Sequence, residues 1–307
     1  MNRSRTLAVL AALVAAALPA ALSDFWIFIA IEVIAFALYA VSFNVLLGYG
    51  GMLSFGHAAF FGVGAYAGAL MVRKSGFAPE AAFALAPLAA MAAAAAVAAV
   101  VGFFSVRRSG IYFGMLTFAF QMLLYTIALK ATGLTGGDDG ITGLKPPGAL
   151  ARPAVYYVFA LATVGPALYV LYRLVNSPFG ITLRALKANP RRVQYVGVDV
   201  RSHQLAAFVV SGAFAGLAGA VFALSSGNVF PAWLNWTASA TPIVMAVLGG
   251  VSSFLGPALG AAVYVVLEVV ISGRTEYWPL VMGVIILALV LLMPAGLTGL
   301  WRRRGAP

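Results

Sequence analysis

The feature that most constrains this chain is a succession of apolar runs, each near the length of a bilayer crossing, separated by short polar connections. A hydrocarbon core about 30 Å thick takes about 20 residues of helix at 1.5 Å per residue. Runs of that kind lie near residues 6–22, 25–47, 51–72, 79–106, 110–131, 154–175, 203–225, 237–251, 257–272 and 277–293. Hydrocarbon offers the backbone no hydrogen bonds, so segments that satisfy their own amides are required. The reading is all-α: a polytopic transmembrane helix bundle of about ten spans, forming one domain over residues 1–307. Composition closes the soluble alternative. With 63% of 307 residues hydrophobic and 9% charged, the chain has too little polar surface to face water all round.

Residues 238–271 carry no charge except Glu268, yet as one helix they would reach about 50 Å, beyond a single bilayer. Gly249-Gly250, Ser252-Ser253 and Gly256-Pro257 are the local breakers, so a tight turn between two short helices is expected there. At the amino end, Arg3 and Arg5 precede an apolar run and small residues follow Pro19, a pattern that fits either a retained helix or a secretory signal.

Basic residues set the orientation. With the amino terminus inside, thirteen of the nineteen Lys and Arg fall in one set of alternate loops: Arg3, Arg5, Arg107, Arg108, Arg173, Arg184, Lys187, Arg191, Arg192, Arg201 and Arg302 to Arg304. Positive loops stay cytoplasmic, so both termini are expected inside. This also accounts for the net charge of +11 without a nucleic-acid partner. The chain has no cysteine and only His57 and His203, which excludes thiolate chemistry and leaves no metal site to expect.

Three motifs stand out. Segment 44–66 holds Gly48, Gly50, Gly51, Gly56, Gly62 and Gly64 beside Ser54 and His57. Glycine at this density permits close helix contact, or a broken helix whose freed backbone groups line a path. Segment 176–202 is the longest cytoplasmic connection. In it Ile181, Leu183 and Leu186 alternate with Arg184 and Lys187, Asn189-Pro190 permits a second helical start before Arg191 and Arg192, and Gly197 can end it. Segment 132–153 is the longest external loop; its Asp138 and Asp139, set among glycines, lack the alternating ligands of a calcium loop and suit turn or docking chemistry.

Glu32 and Glu268 lie inside apolar runs and have no basic neighbour in sequence. A carboxylate at such a position is a functional hypothesis, set against snorkelling to the nearby span end. The path is expected to be lined by backbone polar groups at helix breaks and not by fixed charges. The segment from Gly50 to Gly56 also echoes Gly249, Gly250 and Gly256, as the two halves of a duplicated transporter would.

The run from Leu46 to Tyr66 resembles the LivM-type permease of branched-chain amino acid ABC transporters. The likeness continues through Gly136-Gly-Asp-Asp-Gly-Ile-Thr-Gly143, Ser177-Pro-Phe-Gly180, the stretch from Leu205 to Gly219, Val247-Leu-Gly-Gly250 and Pro294-Ala-Gly-Leu297, covering roughly residues 40–300. The resemblance implies the ABC importer permease fold in a bacterial inner membrane. It also implies a LivH-like second permease, two cytosolic ATPases that hold ATP and Mg, and a periplasmic amino-acid-binding protein. By the same likeness, Arg184 to Gly197 maps to the ATPase-coupling loop, where the family commonly carries acids and this chain has Arg191, Arg192 and Gln194. No Gly-Lys dipeptide occurs in the sequence, so it contains no P-loop and is read as a transport subunit, not an enzyme. Permeation of urea, short amides or another small solute, and ion-coupled secondary transport, are the alternative readings.

Overall fold

The computed structural model describes residues 22–293 and 296–299, together with Pro19. Its main helices, in chain order, are α1 Asp24–Asn44, α2 His57–Lys74, α3 Pro79–Ser105, α4 Ile111–Lys130 and α5 Pro153–Val175. They are followed by α6 Pro178–Ala188, α7 Pro190–Tyr195, α8 Val200–Ser226, α9 Trp236–Gly249, α10 Gly256–Ser272 and α11 Trp278–Leu292. Among the described residues the only extended pairing is an isolated antiparallel bridge between Ile141 and Val229.

Among the described residues, six segments are long and apolar enough to cross a bilayer: α1 with its continuation to Tyr49, α3, α4, α5, α8, and the segment that begins with α11. The expected run at 51–72 becomes a helix only from His57, because Gly51 to Gly56 do not join α2. The expected fold-back at 249–256 is present: α9 and α10 have 14 and 17 residues, about 21 and 25 Å, each short of the hydrocarbon thickness. The first expected run, 6–22, lies almost wholly outside the described residues.

Helix α8 is the axis of the bundle and packs on α1, α2 and α3. Lipid-like solvent gives no hydrophobic drive between helices, so close contact depends on small residues. Here Gly64 of α2 meets the backbone of Gly216, and Gly216 in turn faces Ala90 and Ala94 of α3. Between these small-residue seams sit aromatic side chains: Phe60 lies edge-on to Phe208, and Phe36 stacks on Phe61. On the opposite side of α1, α5 and the α9–α10 hairpin complete its enclosure.

The connection 132–153 is a packed cap, not a free loop. A one-turn helix at Thr132–Thr135 and 3-10 turns at Gly137–Asp139 and Gly148–Ala151 lead it over the bundle, and Ile141 exchanges both backbone hydrogen bonds with Val229.

Candidate functional site

The site is built where α1 comes apart. After Asn44 the helix widens into a π turn, Val45–Tyr49, and Gly51 then turns the chain through φ +66°, a left-handed conformation that glycine adopts without strain. π turns occur mostly as single insertions in helices, often at functional positions. The segment from Met52 onward runs without helical bonds until α2 starts at His57.

Breaking a helix inside a membrane bundle frees backbone donors and acceptors that other groups must satisfy. The Ser239 hydroxyl, brought in by α9, accepts from the Ala58 amide at 3.0 Å and donates to Gln121 Oε1 at 2.7 Å. Gln121 Nε2 in turn donates to the Leu234 carbonyl at 3.0 Å. The Phe55 amide donates to Thr117 Oγ1, and the Gly56 amide to Ser54 Oγ, each at 3.2 Å. Thus α4 and α9 cap a helix to which neither is adjacent in sequence.

His57 is fully buried in the same place. Its ring stacks on Tyr39 with centroids 5.4 Å apart, and Nε2 lies 3.2 Å from the Ser42 hydroxyl. That hydroxyl gives its single proton to the Tyr39 carbonyl at 2.7 Å, so it is Nε2–H that donates to Ser42. The Ser211 hydroxyl of α8 closes the cluster by donating to the Ser42 carbonyl. Three polar atoms here have no partner: Tyr39 Oη, Asn44 Oδ1 and His57 Nδ1.

The two glycine-marked breaks meet each other. Asn44 Nδ2 donates to the carbonyls of Val251 at 3.2 Å and Ser253 at 3.4 Å, and a Cβ added to Gly48 would stand 2.6 Å from the Val251 oxygen. Gly249, Gly250 and Gly256 form the tight turn between α9 and α10, where Gly249 packs directly on the Gly256 backbone.

The helical pair α6–α7 docks on the broken end of α1. Pro178 opens α6 and Pro190 opens α7; the Asn189 side chain caps α7 by accepting from the Arg192 amide at 3.1 Å, and Gly197, at φ +87°, ends it. Lys187 Nζ donates to the Gly48 carbonyl at 2.8 Å, and its side-chain carbons cover Gly51. The Arg184 guanidinium donates to the Val175 carbonyl at 2.7 Å and lies 5.2 Å from the centre of the Tyr49 ring. Leu183 and Leu186 are buried beneath, while Arg191 and Arg192 face solvent beside Tyr195 and Val196, which are 89% and 77% exposed. A cleft of about 550 Å³ runs between Gly50–Phe55, the α3–α4 connection and Lys187.

Of the residues expected from sequence, the structure thus gathers Gly48, Gly50, Gly51, Ser54, Gly56 and His57 at the break, with Arg184 and Lys187 upon it. Gly62 and Gly64 instead serve packing, against Leu234 and the Gly216 backbone. Asp138 and Asp139 sit exposed in the 3-10 turn, away from the break. Among the described residues no three His, Asp or Glu side chains are grouped to hold a metal. The sequence reading passed over Tyr39, Ser42, Asn44, Thr117, Gln121, Ser211 and Ser239, whose common signal is a polar group inside an apolar helix.

Glu32 and Glu268, 236 positions apart, line one cavity of about 200 Å³ between α1, α2, α8, α9 and α10. Tyr39 lines this cavity as well, and beyond it α1 carries buried Ser42 and Asn44 before the break.

Comparison with known proteins places this architecture. The family described as "branched-chain amino acid transport system / permease component" matches residues 25–291. The high-affinity branched-chain amino acid transport system permease protein LivM of Escherichia coli K12 is 28% identical over 294 residues, covering 87% of this chain and 68% of that one. The probable branched-chain amino acid transport permease protein LivM of Methanocaldococcus jannaschii is 28% identical over 177 residues, 55% of this chain and 50% of its own. The probable LivH permease of the same organism is 29% identical over 157 residues, 48% of each. No solved structure matches the chain significantly.

Proposed function

The chain belongs to the branched-chain amino acid transport permease family, and from that premise we propose that it is the membrane-spanning subunit of an ATP-driven importer for branched-chain or similarly apolar amino acids. Membership makes it a multi-pass membrane protein and a transport component, not an enzyme. Its partners in the proposal are a LivH-like second permease, two cytosolic ATPases that hold ATP and Mg, and a periplasmic binding protein that delivers the solute. The side carrying α6 and α7 faces the cytoplasm, both termini lie there, and the membrane is the bacterial inner membrane. The thirteen-to-six distribution of basic residues supports this orientation.

The observation that carries the reading is the seat of α6 on the broken end of α1. An ATPase that moves α6 pulls through Lys187 on the Gly48 carbonyl and through Arg184 on Tyr49, and so acts on the one stretch of α1 that is not held as an α-helix. The exposed Tyr195 and Val196 offer the apolar tip by which such a partner grips. Asn44 then relays the movement to the α9–α10 hairpin. A break of this kind has two discrete arrangements to switch between more readily than an unbroken helix does.

The test is leucine uptake into vesicles carrying this chain, the second permease and both ATPases, with ATP enclosed and binding protein outside. ATP-dependent uptake is expected, and Gly197→Leu should leave the complex assembled while abolishing substrate-stimulated ATP hydrolysis. Uptake that runs without ATP and follows an imposed proton or sodium gradient would move the chain to the secondary-transporter reading. Uptake of urea or short amides in place of leucine would reassign the solute. Orientation is read by cysteine labelling: an impermeant reagent should reach Asp139→Cys from outside and miss Arg191→Cys, both positions being exposed.

A further inference from the structure

Inside the bundle, and apart from the break, two carboxylates face one small cavity. Glu32 stands about 12 Å along α1 from its start and Glu268 about 6 Å before the end of α10. Both are half-buried, and no Lys or Arg among the described residues lines the space between them. The remaining walls are largely aromatic, with Phe61, Trp233 and Tyr264 beside the acids. Tyr39, 2% exposed, contributes to the lining, with its hydroxyl closed off from the space.

Two acids that share a cavity repel one another when both are charged and are costly to leave without a positive partner. Aromatic faces add attraction for a cation through their ring quadrupoles. At about 200 Å³ the cavity suits an ammonium head and its immediate neighbours, below the roughly 300 Å³ at which pockets for drug-sized ligands begin. Among the described residues the only charged groups in the lining are the two acids, so it favours a compact cation with hydrogen-bond donors over a carboxylate.

We propose that this cavity is a transit site for the α-ammonium group of the permeating amino acid, received by Glu32 and Glu268. The proposal rests on the reading of the chain as an amino-acid permease. It assigns fixed charge to the path where the sequence led us to expect backbone groups alone. The side chain of the solute then follows the aromatic wall toward Tyr39, whose ring stacks on that of His57 beyond the cavity.

The experiment uses the purified complex of full-length chain, second permease and ATPases without binding protein, and reads thermal stabilisation by isopentylamine, by leucinamide and by 4-methylpentanoate. Both amines should stabilise the unmodified complex and the carboxylate should not. The double substitution Glu32→Gln with Glu268→Gln should weaken amine binding at least about tenfold, while Tyr66→Phe, which removes a buried hydroxyl outside the cavity, should leave it unchanged. Equal response to amine and carboxylate, or undiminished amine binding in every carboxylate variant, overturns the proposal; so does stabilisation by sodium or potassium alone that the amines cannot displace. If the double variant does not assemble, each single Gln variant carries the same comparison. These binding readouts are separate from uptake: loss of leucine transport with amine binding intact would count against the importer reading and not against the cavity.

Discussion

The two glycine-rich breaks look alike in sequence and are built on different physics. Between α1 and α2 the backbone opens through a π turn and an irregular stretch, and its freed groups are met by side chains: Lys187 on Gly48, Thr117 on Phe55, Ser239 on Ala58. Between α9 and α10 the turn closes on itself. Gly249 and Gly260 bring the two helix backbones into direct contact, and Ser253 caps the Gly256 amide at 2.9 Å while Thr298 donates to the Gly249 carbonyl at 3.0 Å. The first break, met by side chains from three other helices, can exchange partners and move. The second, where two helix backbones touch, is a rigid post. Asn44 joins the two, so the movable break is braced against the fixed one.

The largest effect should come from the post. Gly249→Val or Gly260→Val puts a branched side chain where only backbone lies, with no flexible neighbour to give way, and should cost more than about 4 kcal/mol. Loss of the monodisperse complex on size-exclusion chromatography is the expected readout. The matched change at the other break, Gly51→Ala, meets φ +66° and the Lys187 Cγ at 2.8 Å, and should cost only about 1–3 kcal/mol. Normal assembly of Gly249→Val would remove the distinction between the two breaks.

Next in size is the brace. Asn44→Ala deletes both hydrogen bonds to the hairpin and leaves the Val251 and Ser253 carbonyls to find other donors, a loss of about 1–3 kcal/mol. It should lower the thermal midpoint and reduce uptake more than it reduces ATP hydrolysis, because the ATPase still moves α6 while the hairpin no longer follows. Parallel loss of both activities would mean that Asn44 only holds the fold.

Lys187→Met should do less to stability, under about 1 kcal/mol, since the residue is exposed and the methionine keeps most of the apolar stem over Gly51. Its effect belongs to coupling: substrate-stimulated ATP hydrolysis should fall while unstimulated hydrolysis persists. A variant with full stimulation would show that the contact to Gly48 is structural.

How much of this could be read from the chain depends on sequence distance. The α6–α7 pair was legible because its signals are local: Ile181, Leu183 and Leu186 alternating with Arg184 and Lys187, Pro190 at a helix start, Gly197 as a stop. The fold-back at 249–256 was legible too, since 34 apolar residues cannot fit one crossing. The start of α2 was misplaced because hydropathy registers the apolar residues of 51–56 and not their backbone angles. What no local pattern could reveal is which polar groups meet. Lys187 reaches Gly48 across 139 positions, Asn44 reaches Val251 across 207, and Gln121 meets Ser239 across 118. Glu32 and Glu268 were visible as acids in apolar runs, but that they share a cavity follows only from packing α10 on α1. The same holds for Gly62 and Gly64: sequence left close helix contact and a path both open for them, and only the bundle shows that they meet Leu234 and Gly216.

The smallest expected effect sharpens the comparison through pH. Asp199 caps α8 at the foot of the α6–α7 pair, accepting from the Ser202 hydroxyl at 2.6 Å and from the Arg201 and Ser202 amides. These bonds, the Ser202 hydroxyl first, hold its carboxyl below the ordinary carboxylate value of 3.8. A group whose folded pKa is depressed contributes stability that is fully present above its unfolded pKa and is lost as pH falls through the folded value. The turn from Gly249 to Gly256 contains no titratable side chain, so acid should loosen the α7–α8 junction and spare the hairpin turn. Hydrogen exchange measured from pH 5 downward should therefore show protection at the first turn of α8 declining below about pH 4. Asp199→Asn keeps a side-chain oxygen for the cap, since asparagine is as good there as aspartate, but removes the titration. In that variant the protection of α8 should no longer follow pH across this window; if it declines as in the parent chain, the acid sensitivity of the junction lies elsewhere than in Asp199.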